Sequence, residues 1–316
     1  MPQKVELRLV EEKDEGCRLD RWFSRYYPSL SHAQLQKMIR LKDIRLNGKR
    51  TTANTHLEQG DEIRIPPFQE KEEKNDTRTL TDKEVDFIQS LIVYQDKDII
   101  ALNKPAGWAV QGGTKVSHHI DGLLDGLSMN GERPRLVHRL DKETSGVLLL
   151  ARNTKMAAYL TNAFKTKNIQ KTYYALVQGK PKEMSGKITA PLLKKRVAKG
   201  EELVCVDFEN GLPAESVYDV LDTNGEVSLL ALQPHTGRTH QLRVHCAYMG
   251  VPIIGDTKYG DTSFLEQFPK FEKKMYLHAY QIVLPLSNGR ILKIKADIPK
   301  YMKNCLDFFG FSAKKK

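Results

Sequence analysis

The nine residues HRLDKETSG, His138 to Gly146, set three basic and two acidic side chains directly ahead of the apolar run VLLLA at Val147–Ala151. A short apolar run bounded by a glycine predicts a buried strand. Asp141 then falls on the loop that feeds a rigid element, where reacting groups are commonly held. The alternative is a plain turn, closed by the aspartate bonding its own backbone two residues on. A second stretch, KTYYALVQG at Lys171–Gly179, alternates with the period of a strand. Tyr173, Ala175 and Val177 take one face and Tyr174, Leu176 and Gln178 the other, so only one tyrosine of the pair can face a given site, and packing is the competing role for either. A third, HTGRTHQLRVHCAYMG at His235–Gly250, leaves a strand and enters a helix with Leu242, Cys246 and Met249 on its apolar side. Arg238 and Arg243 fall near the start of that helix, where the macrodipole disfavours a cation by roughly 0.3 to 1 kcal/mol. An anion must compensate them, either a bound phosphate or a carboxylate such as Asp141. The spacing of His235, His240 and His245 puts successive members on opposite sides of the element, which argues against a metal site.

These groups need elements to hold them. Behind Asp141, NTKMAAYLTNAFKTK predicts a helix with Met156, Leu160, Ala163 and Phe164 on one side. Toward the N-terminus, RLDRWFSRYY places Leu19, Trp22, Phe23 and Tyr26 in one helical stripe that Pro28 ends. Ser31 with Gln34 is a capping-box pattern ahead of Leu35, Met38 and Ile39. IRLNGKR then turns on Asn47-Gly48, a hairpin signal, and DEIRIP supplies a further strand. Across residues 37–50 the cations Lys37, Arg40, Lys42, Arg45, Lys49 and Arg50 are met by a single acid, Asp43, which predicts a phosphate-binding surface. The polar stretch from Pro67 to Lys83 reads as a linker. Beyond it DIIALN, GVLLLAR, EVSLLALQ and RILKIKADI are strand candidates without regular βα alternation. The expected class is α+β. A small α+β unit over residues 1–66 and a linker over 67–84 precede a mainly antiparallel mixed sheet with flanking helices over 85–310 and a basic tail over 311–316.

Charge narrows the partners. With 50 Lys and Arg against 39 Asp and Glu, the chain carries +11 and a pI near 9.3, which favours a polyanion such as nucleic acid. Its longest apolar runs are about five residues, where a spanning helix needs ~20. The N-terminus MPQKVELRLVEEKDEG lacks the apolar centre of a secretory leader. Cys17, Cys205, Cys246 and Cys305 lie far apart with no C-x-x-C pair, which argues against a zinc site or a disulfide framework and fits a reducing cytoplasm.

RLDRWFSRYYPSLSHAQLQKMIRLKDIRLNGKR resembles the S-four-type RNA-binding domain, over residues 18 to about 65. In the remainder, NKPAG at Asn103–Gly107, HRLD with the following TSG, K-x-Y-x-A-x-V-x-G at Lys171–Gly179 and TGRTHQLRVH resemble, in that order, the signature segments of the RluA-type pseudouridine synthases. GWAVQGGT, APLLKK and GDTKYG are similar to the RluC-like members, which modify large-subunit ribosomal RNA. The resemblance implies isomerisation of uridine to pseudouridine, in which the base detaches, turns and rejoins the sugar through carbon 5 without any cofactor or metal. It implies Asp141 as the catalytic carboxylate and Arg243 as the partner whose bidentate contact keeps that carboxylate charged and aimed. Tyr173 becomes the residue that stacks on the uracil and helps remove the proton from carbon 5, and Arg139 the one that fills the RNA stack when the uridine flips out. Glu143 reads as a supporting residue, since a second anion at the reacting centre would raise the pKa of the first. Rival readings are the same reaction on transfer RNA or another structured RNA, and a non-catalytic ribosome-assembly role. The protein is expected to act in the cytoplasm as a monomer, with RNA as its partner and no obligate protein partner.

Overall fold

The computed structural model describes residues 5–68, 79–112, 118–197, 202–286 and 289–312. Most of the expected linker, the end of GWAVQGGT and most of the basic tail lie outside the described residues. The chain divides into two compact units, residues 1–79 and 80–316.

In the first unit, β1 (Glu6–Leu9), α1 (Leu19–Tyr26), α2 (His32–Arg40), β2 (Arg45–Leu46) and β3 (Glu62–Ile65) follow one another, and the strands form an antiparallel sheet in the order β1-β3-β2. The stripe on α1 buries Leu19, Trp22 and Phe23 against Leu35, Ile44, Ile63 and Ile65. Ser31 and Gln34 cap α2 reciprocally, as their spacing predicts. Asn47 and Gly48 both take positive φ, 51° and 70°, and make the tight turn. The hairpin itself shrinks to one bridge, Leu46 to Lys49, and the lasting partner of β2 is β3. Asn47 explains the change: its side chain donates to Asp61 and accepts from the Glu62 amide, tying the turn to the start of β3.

The second unit begins with α3 (Asp82–Ser90), whose first turn falls at the end of the span 67–84 expected to be linker. Thr81 accepts from the Glu84 amide while Glu84 reaches back to the Thr81 amide, a second capping box spelled TDKE in the sequence. There follow β4 (Ile92–Gln95), β5 (Ile99–Lys104), β6 (Arg135–Leu136), β7 (Ser145–Ala151), α4 (Thr154–Lys165), β8 (Gln170–Gln178), β9 (Ser185–Thr189), β10 (Leu192–Arg196), β11 (Glu202–Val206), β12 (Glu215–Thr223), β13 (Val227–Pro234), α5 (Gln241–Tyr248), α6 (Ser263–Glu266), β14 (Leu277–Pro285), β15 (Ile291–Lys295) and α7 (Lys300–Phe309). A ten-stranded sheet runs β4-β5-β7-β14-β8-β13-β12-β9, with β15 on β14 and β6 on β7, while β10 and β11 form a separate hairpin. Among the described residues only β14 and β7 of this sheet pair in parallel, which makes this an α+β architecture of mixed, mainly antiparallel sheet.

Alternation along the central strands sends side chains to two covered faces. On β5 and β7, Ile99, Ala101, Val147 and Leu149 meet Leu160 and Ala163 of α4. Ile100, Leu102, Leu148 and Leu150 meet Ile88 of α3 on the opposite side. Further along, Tyr174 and Leu176 pack with Tyr301 and Met302 of α7, whereas Ala175 and Val177 pack with Leu242 and Cys246 of α5. Cover on both sides is why β7 is buried at every position and reads as one continuous apolar run.

Candidate active site

One row of residues crosses the sheet from β5 to β13: Lys104, Gly146, Ala279, Tyr173 and Leu232, each opposite the next. Asp141 lies on the loop that enters this row through β7, and α5 follows the row's far strand. The Asp141 loop is clamped from the NKPAG segment. Lys104, fully buried, donates to the carbonyls of Pro105 (2.9 Å), Trp108 (2.8 Å) and Lys142 (3.1 Å), and the Gly107 amide donates to the same Lys142 carbonyl at 2.9 Å. Burial lowers the Lys104 ammonium to about 7, opposed by the charges of Glu143 and Asp141. Three carbonyl acceptors favour the charged form and fix it. Gly146 completes the seat: its φ of 111° is open to glycine, and a Cβ there would stand 2.2 Å from the Ala279 carbonyl oxygen. This is the physical content of the TSG pattern.

Arg243 corrects an expectation. Its bidentate partner is Asp256, with Nε to Oδ2 at 2.7 Å and Nη2 to Oδ1 at 2.6 Å, both side chains buried. The remaining Nη1 faces Asp141 Oδ2 at 3.6 Å. A guanidinium offers donors on two edges, so it is held by Asp256 and presents its free edge to Asp141. Burial alone would raise the Asp256 carboxyl. The Arg243 hydrogen bonds, together with the Lys258 and Tyr259 amides, outweigh it and hold that carboxyl below the usual range. Asp256 sits in GDTKYG, where one acid among turn residues carries no periodic signal. The anion demanded by a cation at the start of a helix is therefore mainly Asp256, with Asp141 second. Arg238, the other such cation, donates to the Pro213 carbonyl instead.

Tyr173 faces the same cleft as Asp141. Burial, then the Asp141 charge, push its phenol well above the usual range, so it is protonated at neutral pH. His138 accepts from the Leu149 amide at 2.8 Å, stacks on Phe164 at 4.4 Å and is driven by burial to about 3, which keeps it neutral. The histidines of the third stretch separate as their spacing predicts. His235 pairs with Glu215, His240 with Tyr259, and His245 with Ser216 and the Ala190 carbonyl. Among the described residues no cluster of metal-ligating side chains occurs.

The cleft holds about 1460 Å³ and is lined by Asp141 and Tyr173 together with the cations Arg139, Lys167, Lys171 and Arg238. Arg139 is exposed at its rim. A large open cavity edged by cations suits a polyanion better than a small neutral ligand. In the first unit Lys37, Arg40, Lys42, Arg45, Lys49 and Arg50 are all exposed, and among the described residues none of them pairs with a carboxylate.

Residues 98–248, which include Asp141, Tyr173 and Arg243, match the family model described as RNA pseudouridylate synthase. The chain is 37% identical over 293 residues to ribosomal large subunit pseudouridine synthase C of Rickettsia conorii, covering 90% of this chain and 95% of that protein. The protein of the same name from Salmonella typhi is 34% identical over 310 residues, with 96% of each chain covered. The chain belongs to the RNA pseudouridine synthase family. A solved structure, human RNA pseudouridylate synthase domain containing 4, superposes on this enzyme with a TM-score of 0.62 at 28% identity, covering 73% of this chain and 98% of that one. The α+β sheet and the cleft are thus those of an RNA-modifying isomerase.

Proposed function

We propose that this synthase converts uridine to pseudouridine in large-subunit ribosomal RNA, with Asp141 as the catalytic carboxylate acting on a uridine flipped out of its stack. The observation that carries the chemistry is the Asp141 carboxylate in the wall of a cation-lined cleft, with the Arg243 guanidinium 3.6 Å from it. The names of the relatives support the substrate. In the reaction the bond from the sugar to nitrogen 1 breaks, the uracil turns in place and a bond to carbon 5 forms. Carbon 5 loses its proton and nitrogen 1 ends with one, so nothing is added or removed overall.

A base within folded RNA cannot reach a carboxylate inside this cleft without leaving its stack. Arg139, exposed at the rim, is suited to fill the gap it leaves. Tyr173 offers a ring face for the uracil. Its raised phenol argues for stacking and hydrogen bonding over proton abstraction, so the basic role implied by family resemblance gains no support from its surroundings. In the first unit the six exposed cations form the surface we read as an S-four-like docking site for RNA phosphates.

The test is complementation of a deletion strain with wild-type and Asp141→Asn genes, followed by mapping of pseudouridine across all stable RNAs. The wild-type gene should restore sites in large-subunit RNA. The asparagine variant, which keeps shape and RNA binding, should lose activity on the order of 10³-fold or more. Unaltered large-subunit RNA beside a lost site in transfer RNA would overturn the substrate, and full activity of the variant would overturn the role of Asp141.

A further inference from the structure

Two side chains with no part in the chemistry above stand beside Asp141. His240, the residue ahead of α5, has a left-handed backbone with φ 53° and ψ 20°. A non-glycine residue holds that conformation at a cost of about 1 kcal/mol or more, and such strain persists where the surroundings over-determine it. Its Nδ1 lies 2.7 Å from the Tyr259 hydroxyl, and its Nε2 lies 3.8 Å from Asp141 Oδ2.

Donor and acceptor order favours one tautomer of His240. The Val204 amide on β11 donates to the Tyr259 oxygen at 3.1 Å. The phenol's own proton needs an acceptor, and His240 Nδ1 is the one within reach, so the pair is read with Tyr259 donating. Nδ1 then carries no proton, and Nε2 carries one, directed at Asp141. Arg243 Nη1 approaches the same oxygen, Oδ2, at 3.6 Å. Its guanidinium also lies 5.0 Å above the Tyr259 ring, so one phenol touches both donors.

We propose that Tyr259 and His240 form a polar relay, anchored on the Val204 amide, that turns a neutral N–H onto Asp141 Oδ2 beside Arg243 and leaves Oδ1 to meet the extruded nucleoside. Both are positioning residues, and the proposal rests on the catalytic reading of Asp141. Burial supports the neutral form of each partner, lowering His240 and raising Tyr259. The charges facing His240 are Asp141, Asp256, Arg243 and Lys258, two of each sign. At 3.8 Å the contact is longer than a hydrogen bond, and the Asp141 side chain is 30% exposed, so the pair is open to solvent. RNA filling the cleft would exclude solvent, and contacts of this kind tighten when substrate binds.

Tyr259→Phe keeps the ring under Arg243 and removes only the hydroxyl. Assayed on an unmodified transcript of large-subunit ribosomal RNA, it should lower kcat by about tenfold or more while KM stays within about twofold. Two-bond nitrogen–proton spectra of labelled histidines should show the proton of wild-type His240 on Nε2, and loss of that single form in the variant. His240→Gln, which retains an N–H donor, should keep more kcat than His240→Ala. An unchanged kcat for Tyr259→Phe, a proton on Nδ1 in the wild type, or equal losses in the two His240 variants would overturn the relay. So would a fall in kcat matched by a lower Tm and weaker RNA binding. Asp141→Asn measured alongside separates the two ideas: activity there sinks the catalytic reading, whereas an inactive Asp141→Asn beside a fully active Tyr259→Phe sinks the relay alone.

Discussion

Arg243 serves two carboxylates at once, and the division of labour follows from how each is held. Asp256 takes the two-point contact in the dry interior, which fixes the guanidinium plane, and the third nitrogen is left to a carboxylate that opens on the cleft. Lysine at this position could not reproduce that arrangement, because an ammonium is a point charge without a fork. Histidines supply the residue-scale dependence on pH. His278 donates from Nε2 to the Ala296 carbonyl, so Nδ1 must accept from Ser145, and burial lowers the ring to about 4. A folded value below the unfolded one means that the unfolded chain binds the extra proton. Stability is therefore complete above pH about 6.5 and is lost as pH falls toward about 4, at up to ~1.4 kcal/mol per unit. Urea unfolding across that window should show the slope, and His278→Gln should flatten it. If the variant loses stability with acid as steeply as the wild type, His278 is not a source. Asp141 and Arg243 stand out in the sequence because a carboxylate ahead of an apolar run and a cation at a helix start each call for a partner, whereas Tyr173 fits its strand as a packing residue would and is singled out by the resemblance alone. Asp256, Lys104 and Tyr259 do not stand out, since one acid, one lysine and one tyrosine in turn-rich segments look like ordinary surface residues until the fold buries them.

Elements with a strong period are legible in the chain alone: α1, α2, α4 and the two-faced β8 cover the stripes that their spacing indicates, whereas α5, expected to bury one side, is buried all round from Gln241 to Cys246. Helix α3 is not legible in this way, because its polar composition continues that of the preceding stretch, although its TDKE cap is present to be seen. Pairing between distant strands left no local trace, and the seat of the Asp141 loop depends on it. The parallel contact of β7 with β14 brings the Ala279 carbonyl against Gly146, where no side chain fits. Gly146→Ala should cost at least ~3 kcal/mol, since it adds both a clash with backbone and an unfavourable φ. Thermal unfolding reads this directly, and a Tm equal to that of the wild type would mean that the two strands can part cheaply.

At the scale of the whole molecule, the surplus of cations is spread over a cleft in one unit and a helix-and-turn surface in the other. Replacing Lys37, Arg40, Lys42, Arg45, Lys49 and Arg50 together by Gln in the full chain should weaken RNA binding and make it less salt-dependent. The slope of log K against log salt should shrink by about 0.7 to 0.9 for each phosphate that the variant no longer neutralises. An identical slope would remove the first unit from RNA docking. The place of β14 in the sheet has a consequence for the protein's manufacture. It joins β7 to β8 at the centre, yet it comes from Leu277–Pro285, close to the end of the chain. A ribosome makes that segment after β7 and β8, so until it emerges the two halves of the sheet cannot unite and Gly146 lacks the strand it packs against. A nascent copy that has not yet made β14 is consequently unable to seat the Asp141 loop, and the two halves of its sheet wait, unpaired, for one late strand.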